Sequence, residues 1–149
     1  MEPATKSRLA SLEYLAAERA AAAKHEFVDG EVFAMVGVSE THSLIAANII
    51  GELRDQLKGR PCRVYTSDMR LQVAATEMHA YPDVQVACGD ARFADDHRDT
   101  LLNPKVIVEV LSESTEAWDR GGKFWHYRKI ESLLEYVLVS QSAWLVEHS

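Results

Sequence analysis

The chain has 149 residues, 47% of them hydrophobic and 26% charged, with 23 acidic against 16 basic side chains and a formal net charge of −7. That length suits one domain with one sizeable core, and the composition is ordinary for a globular protein rather than a disordered or fibrous one. The negative balance argues against broad, nonspecific attraction to nucleic acid or anionic lipid, while leaving room for a local basic groove.

The N-terminal stretch "MEPATKSRLASLEYL" lacks the apolar region of a signal peptide, and no apolar run reaches the roughly 18 residues of a membrane span. Cys62 and Cys88 spell no CxxC motif, and at this spacing no disulfide framework is expected. A reducing compartment is then the expected setting, and the reading is cytoplasmic with no membrane partner. No repeat or Pro/Gly/Ser-rich linker divides the chain, so residues 1–149 are expected to form a single domain.

An alanine-rich helix is expected over 10–23, with Leu9, Leu12 and Leu15 as its apolar stripe. "HEFVDGEVFAMVG" follows, where Asp29-Gly30 between apolar residues signals a hairpin. Ser39 can cap a second helix running to about Lys58, because Ile45, Ile49, Leu53 and Leu57 recur every four residues. Short strands are expected at "CRVYT", "MRLQVAA" and "AYPDVQVAC" (80–88). Residues 89–103 form a polar connection that is long for a compact domain, so it is read as functional or mobile. A strand over about 105–112 comes next, then a helix over 114–130 despite Gly121-Gly122, then strands at "LEYVLVS" and "AWLVEHS". Such alternation gives an α/β or α+β class with helices around a mixed sheet.

The chemistry starts at "KVIVEVLS", which sets Glu109 inside a run that reads as a buried strand. An unpaired ionised carboxylate there costs on the order of several kcal/mol, so Glu109 needs a partner. Asp83, after Pro82, stands where a strand begins or at an edge. If the two strands are neighbours, Asp83 and Glu109 converge, and two close carboxylates repel unless a cation lies between them. An all-oxygen site with few protein ligands suits magnesium or manganese. Lys123, on the following helix, can reach back to position a water or stabilise charge on a phosphate. Blander readings stand beside these. Asp83 can shape a turn, Glu109 can pair structurally with Arg70 or Lys123, and Asp119 and Lys123 can form a helix surface pair.

At "KHEFVDGEV", "YPDVQVACG", "LLNPKVIVEVLSESTEAWDRGGKFWHYRKI" and "LEYVLVS" the chain resembles the Uma-two family of restriction-endonuclease-type proteins (domain of unknown function 820), within the PD-(D/E)xK nuclease superfamily. The resemblance implies a restriction-endonuclease-like mixed sheet flanked by helices. It implies that Asp83 and Glu109 bind a divalent metal, helped by the backbone carbonyl of Val110, and that a lysine assists the attacking water. The superfamily's lysine normally stands two residues after the second acid, where this chain has Leu111, so the resemblance moves that role to Lys123. It also implies an early acid, Glu26 in preference to Glu40, and a site histidine, His42. The other histidines lack metal-ligand spacing, so zinc is not expected. Family members continue past "EYVLVS" with a further hairpin, so this chain reads as a version shortened at its C-terminus, with dimer formation left open.

The leading expectation is a magnesium- or manganese-dependent endonuclease acting on DNA. The rival is a noncatalytic nuclease-fold module that binds a partner or self-associates as a homodimer; a phosphodiesterase acting on a small nucleotide is a third. Two basic clusters, Arg54/Lys58/Arg60/Arg63 and Lys123/Arg128/Lys129, are either phosphate contacts or ordinary solvated surface.

Overall fold

The computed structural model describes residues 3–142 and 146–148. Helix α1 (Pro3–Ala20) comes first. Its buried face is Ser11, Tyr14, Leu15 and Glu18, at the spacing of one helical stripe. The expected leucine stripe is therefore corrected: Leu12 is 60% exposed, and the Leu9 side chain lies outside the described ones. Polar residues take the inner face because partners await them there. Ser11 meets His79, and Glu18 accepts hydrogen bonds from the His25 N–H and the Tyr81 hydroxyl.

Strands β1 (His25–Val28) and β2 (Glu31–Ala34) form the expected hairpin. Asp29 and Gly30 both carry positive φ, 51° and 83°, as a primed two-residue turn requires. Helix α2 (Glu40–Gln56) begins at Ser39, whose hydroxyl accepts from the His42 N–H at 3.1 Å. Its residues Ile45, Ile49 and Leu53, with Leu57 just past its end, are the half-buried stripe that their spacing predicts.

The rest of the chain adds β3 (Cys62–Tyr65), β4 (Arg70–Val73), β5 (Met78–Ala80), β6 (Val84–Cys88), β7 (Thr100–Leu101) and β8 (Val106–Val110). Then come α3 (Glu116–Arg120), α4 (Gly122–Tyr127), β9 (Glu135–Val139) and β10 (Val146–His148). The final expected strand is seen as β10; residues 143–145 and 149 lie outside the described residues.

Several expectations change here. The stretch 80–88 is not one strand: Ala80 ends β5, and β6 begins only at Val84, after Pro82 has interrupted the ladder. The polar connection 89–103 is tied down. It contains β7, parallel to β4, and its Asp95 and Asp99 clasp Arg19 of α1. The helix expected over 114–130 is two short helices broken at Gly121. A Cβ at Gly122 would lie 1.9 Å from the Trp118 ring, so only glycine lets α4 fold back against α3. Cys62 and Cys88 stand directly opposite each other in the β3–β6 register and form a disulfide. Their separation in sequence concealed an adjacency that strand pairing creates, and the cysteine argument for a reducing compartment falls with it.

The strands make two mixed sheets instead of one. The first runs β2-β1-β5-β4-β7 and the second β10-β9-β8-β6-β3. Between them, Val28, Leu71, Val73, Met78 and Ala80 pack with Ile107, Leu111, Tyr127, Tyr136 and Leu138. Tyr14, Leu15 and Phe27 form a smaller cluster under α1. The class is α+β, as expected, with the helices packed on the two sheets.

Candidate functional site

β6 and β8 are antiparallel neighbours with Val84 opposite Val108, a register that carries Asp83 to Glu109. The Asp83 N–H donates to Glu109 Oε1 at 3.1 Å, and the Val110 N–H donates to Asp83 Oδ2 at 2.7 Å. The two acids are thus locked by each other's strands. His42, held in the first turn of α2 by the Ser39 cap, lies with Nε2 3.1 Å from the same Asp83 oxygen. Both contacts fall on Oδ2 and none on Oδ1 among the described residues.

Glu109 is 3% exposed and its second oxygen, Oε2, accepts from Lys123 Nζ at 2.9 Å and from the Tyr127 hydroxyl at 3.1 Å. Lys123 and Tyr127 are four residues apart on α4 and share one helix face. The Lys123 ammonium also lies 3.5 Å from Glu26 Oε2 and 3.3 Å from Asp119 Oδ1. All five predicted side chains, Asp83, Glu109, Lys123, Glu26 and His42, therefore meet around one cleft of about 490 Å³. Glu40, the other early acid, is exposed on α2 and is not in the cluster. Arg70 is not a partner of Glu109: it bonds to Tyr81 and Thr100 and lies 3.5 Å from Asp99.

Two members escaped the sequence reading. Asp119 is not a surface pair for Lys123 but a buried one, 2% exposed, with the Tyr136 hydroxyl bonded to its backbone carbonyl at 2.7 Å. Its i,i+4 relation to Lys123 was the available signal; burial was not readable from it. Tyr127 was signalled only by sharing the helix face of Lys123.

Burial pushes the Glu109 carboxyl up to about 8; the nearby Asp83 and Asp119 charges add to this, and Lys123 opposes it. Burial likewise raises Asp119 against the pull of Lys123. Burial alone would lower the Lys123 ammonium, but Glu109, Glu26 and Asp119 outweigh it and hold the lysine well above its ordinary value. The hydrogen bond to Asp83 raises His42, against the opposing effect of burial. The Val110 carbonyl faces the same imidazole and favours its charged form.

Four carboxylates thus surround one ammonium and one imidazole. Two of their oxygens, Glu26 Oε2 and Asp119 Oδ1, are buried and receive no hydrogen bond among the described residues; both face the Lys123 ammonium, at 3.5 and 3.3 Å. This excess of negative charge fits a cation. Among the described residues no group of three or more His, Cys, Asp or Glu side chains is arranged to hold a metal ion by itself. The donors suit an ion that keeps several waters, as magnesium and manganese do, better than one that demands a closed protein cage.

The comparisons agree with this frame. Residues 12–148 match the family model "Uma2: Putative restriction endonuclease". The chain is 38% identical over 148 residues to the uncharacterized protein sll1609 of Synechocystis sp., covering 99% of this chain and 84% of that one. It is 40% identical over 138 residues to slr1290, also uncharacterized and from Synechocystis sp., covering 91% and 70%. A crystal structure of "a putative nuclease belonging to DUF820" from Anabaena variabilis superposes with a TM-score of 0.68 at 15% identity, over 86% of this chain and 77% of that one. At that identity the likeness shows the fold, which is restriction-endonuclease-like. With nearly the whole chain matched by the family model and two relatives at this identity, the chain belongs to the Uma2 family, that of the "putative restriction endonuclease".

Proposed function

We propose that the protein is a magnesium- or manganese-dependent endonuclease that hydrolyses phosphodiester bonds in DNA. The observation that carries this reading is the meeting of Asp83, Glu109 and Lys123 in one cleft, with Glu26 and Asp119 completing an excess of carboxylate around a single ammonium. Asp83 and Glu109, with the Val110 carbonyl, would hold the cation. When bound, magnesium supplies charge neutralisation for the phosphate and a lowered pKa for the attacking water.

The remaining roles belong to the chain. Lys123 is kept protonated by its three carboxylates, so it is not a general base. It presents N–H donors, orienting a water or steadying the negative charge that develops on a phosphate. The Val110 N–H and His42 fix Asp83 through Oδ2. Tyr127 fixes Glu109 from below.

The test is incubation of plasmid, linear and single-stranded DNA with magnesium or manganese. Cleavage that disappears in Glu109→Gln and in Asp83→Asn is expected; the absence of any such cleavage sinks the proposal.

A second reading rests on two observations. Every oxygen of Glu109 already has a protein donor, so a purely structural ion pair would be self-sufficient. Next to the cleft, Val32, Phe33, Val36 and Val38 are exposed apolar residues on and after the edge strand β2. Together these support a noncatalytic module that binds a partner or self-associates. Calorimetry with manganese separates the two readings: no heat up to millimolar metal favours the module.

A further inference from the structure

The other large concavity lies at the far end of α2. It is a groove of about 660 Å³ between the last turn of α2 and β3, and Arg54, Lys58, Arg60 and Arg63 line it. All four are exposed, and none is in an ion pair among the described residues. Asp55 is the one carboxylate on the lining. The local fold explains the gathering. Gly59 takes a φ of +79°, and the Arg60 N–H bonds to the Leu57 carbonyl at 3.0 Å. The chain therefore doubles back at once after the helix, laying Arg60 and Arg63 beside Arg54 and Lys58. In a chain of net charge −7, four cations against one acid make a local field opposite in sign to the whole.

We propose that this groove holds the phosphate backbone of double-stranded DNA and acts as a second anchor for the duplex cut at the carboxylate cluster. The inference rests on the nuclease reading above and adds where the substrate lies. No aromatic residue lines the groove, so it lacks the stacking platform that single strands need, and its contacts are with phosphates and independent of base sequence. Arg54 is twelve residues beyond His42 on α2, which is about 18 Å of helix rise. At about 3.4 Å of duplex per base pair, a span of about 18 Å corresponds to roughly five base pairs.

The experiment is fluorescence anisotropy on the intact protein with a labelled duplex of about 20 base pairs, in chelator without divalent metal, from about 50 to 200 mM salt. Four neutralised phosphates contribute a log–log salt slope of about −3.6. The variant Arg54→Gln/Lys58→Gln/Arg60→Gln/Arg63→Gln is expected to lose most of that slope and to bind at least about tenfold more weakly at low salt. A control with the same charge change at exposed positions outside both basic clusters, Arg92→Gln/Arg98→Gln/Lys105→Gln/Arg120→Gln, is expected to keep it. No duplex binding by the unaltered protein, equal losses in both variants, or tighter binding of a single strand of the same length would each overturn the inference. Cleavage is scored separately with manganese. Groove-dependent binding without cleavage removes the nuclease reading and leaves the groove; cleavage with groove-independent binding removes the groove alone.

Discussion

Replacing Lys123 by methionine keeps most of the side-chain volume and deletes the one ammonium among Glu109, Glu26 and Asp119. Removing one partner of a buried ion pair leaves an uncompensated charge and costs about 3–5 kcal/mol. For a domain of this size that corresponds to a fall in Tm of roughly 6–20 °C. The cost depends on pH in a defined direction. Without Lys123 the carboxyls of Glu109 and Asp119, already raised by burial, rise further. A carboxyl whose folded value exceeds its unfolded one favours the fold fully below the unfolded value and loses that contribution as pH rises through the folded value. The variant should therefore approach the unaltered protein near pH 5 and fall furthest behind it near pH 9. Added manganese should recover part of the loss, because a cation binding only the folded state stabilises it. Urea or thermal unfolding at several pH values, with and without manganese, measures all three effects. A loss below about 1 kcal/mol at pH 8, or a loss that does not change between pH 5 and pH 9, would refute the picture of a lysine holding buried negative charge.

Other outcomes follow from the same geometry. With Glu109 raised to about 8, a cation must displace its proton at neutral pH. Manganese affinity should therefore climb as pH rises through the raised Glu109 value, with proton release in calorimetry across buffers; zero release would contradict the burial argument. His42, raised by Asp83, should titrate above its ordinary value by NMR and move back toward it in Asp83→Asn. Its bond to Asp83 contributes fully below about pH 6.5 and fades as pH rises through the folded value. Gly122→Ala should destabilise by about 1–3 kcal/mol in urea unfolding, because its Cβ meets the Trp118 ring and that ring packs on the core.

Much of the site was legible in the residues because its constraints are local. An apolar strand with one carboxylate announces an energetic problem wherever it folds, and Glu109 was readable on that ground alone. Pro82 marked the start of β6, and Ser39 marked the turn that carries His42. Asp29-Gly30 specified the hairpin that bears Glu26, since few other pairs accept two positive φ values in succession. The sequence by itself thus determined the hairpin, the start of α2 and the buried carboxylate of Glu109, but not the break at Gly121 or the burial of Asp119.

What the tertiary structure decided is which charges meet, because burial and partnership are properties of packing between distant segments. Asp119 and Lys123 have the same spacing on a buried helix as on an exposed one. Only the packing of α3 and α4 turned a surface pair into the centre of a carboxylate cage. Ser11 and Glu18 look like solvent-facing residues of α1 until His79, His25 and Tyr81 arrive from strands β1 and β5 and the segment after them. Cys62 and Cys88 became neighbours only when β3 and β6 paired. A buried polar side chain is stable only where its partner is, and that partner's position is written in the fold rather than in the adjacent residues.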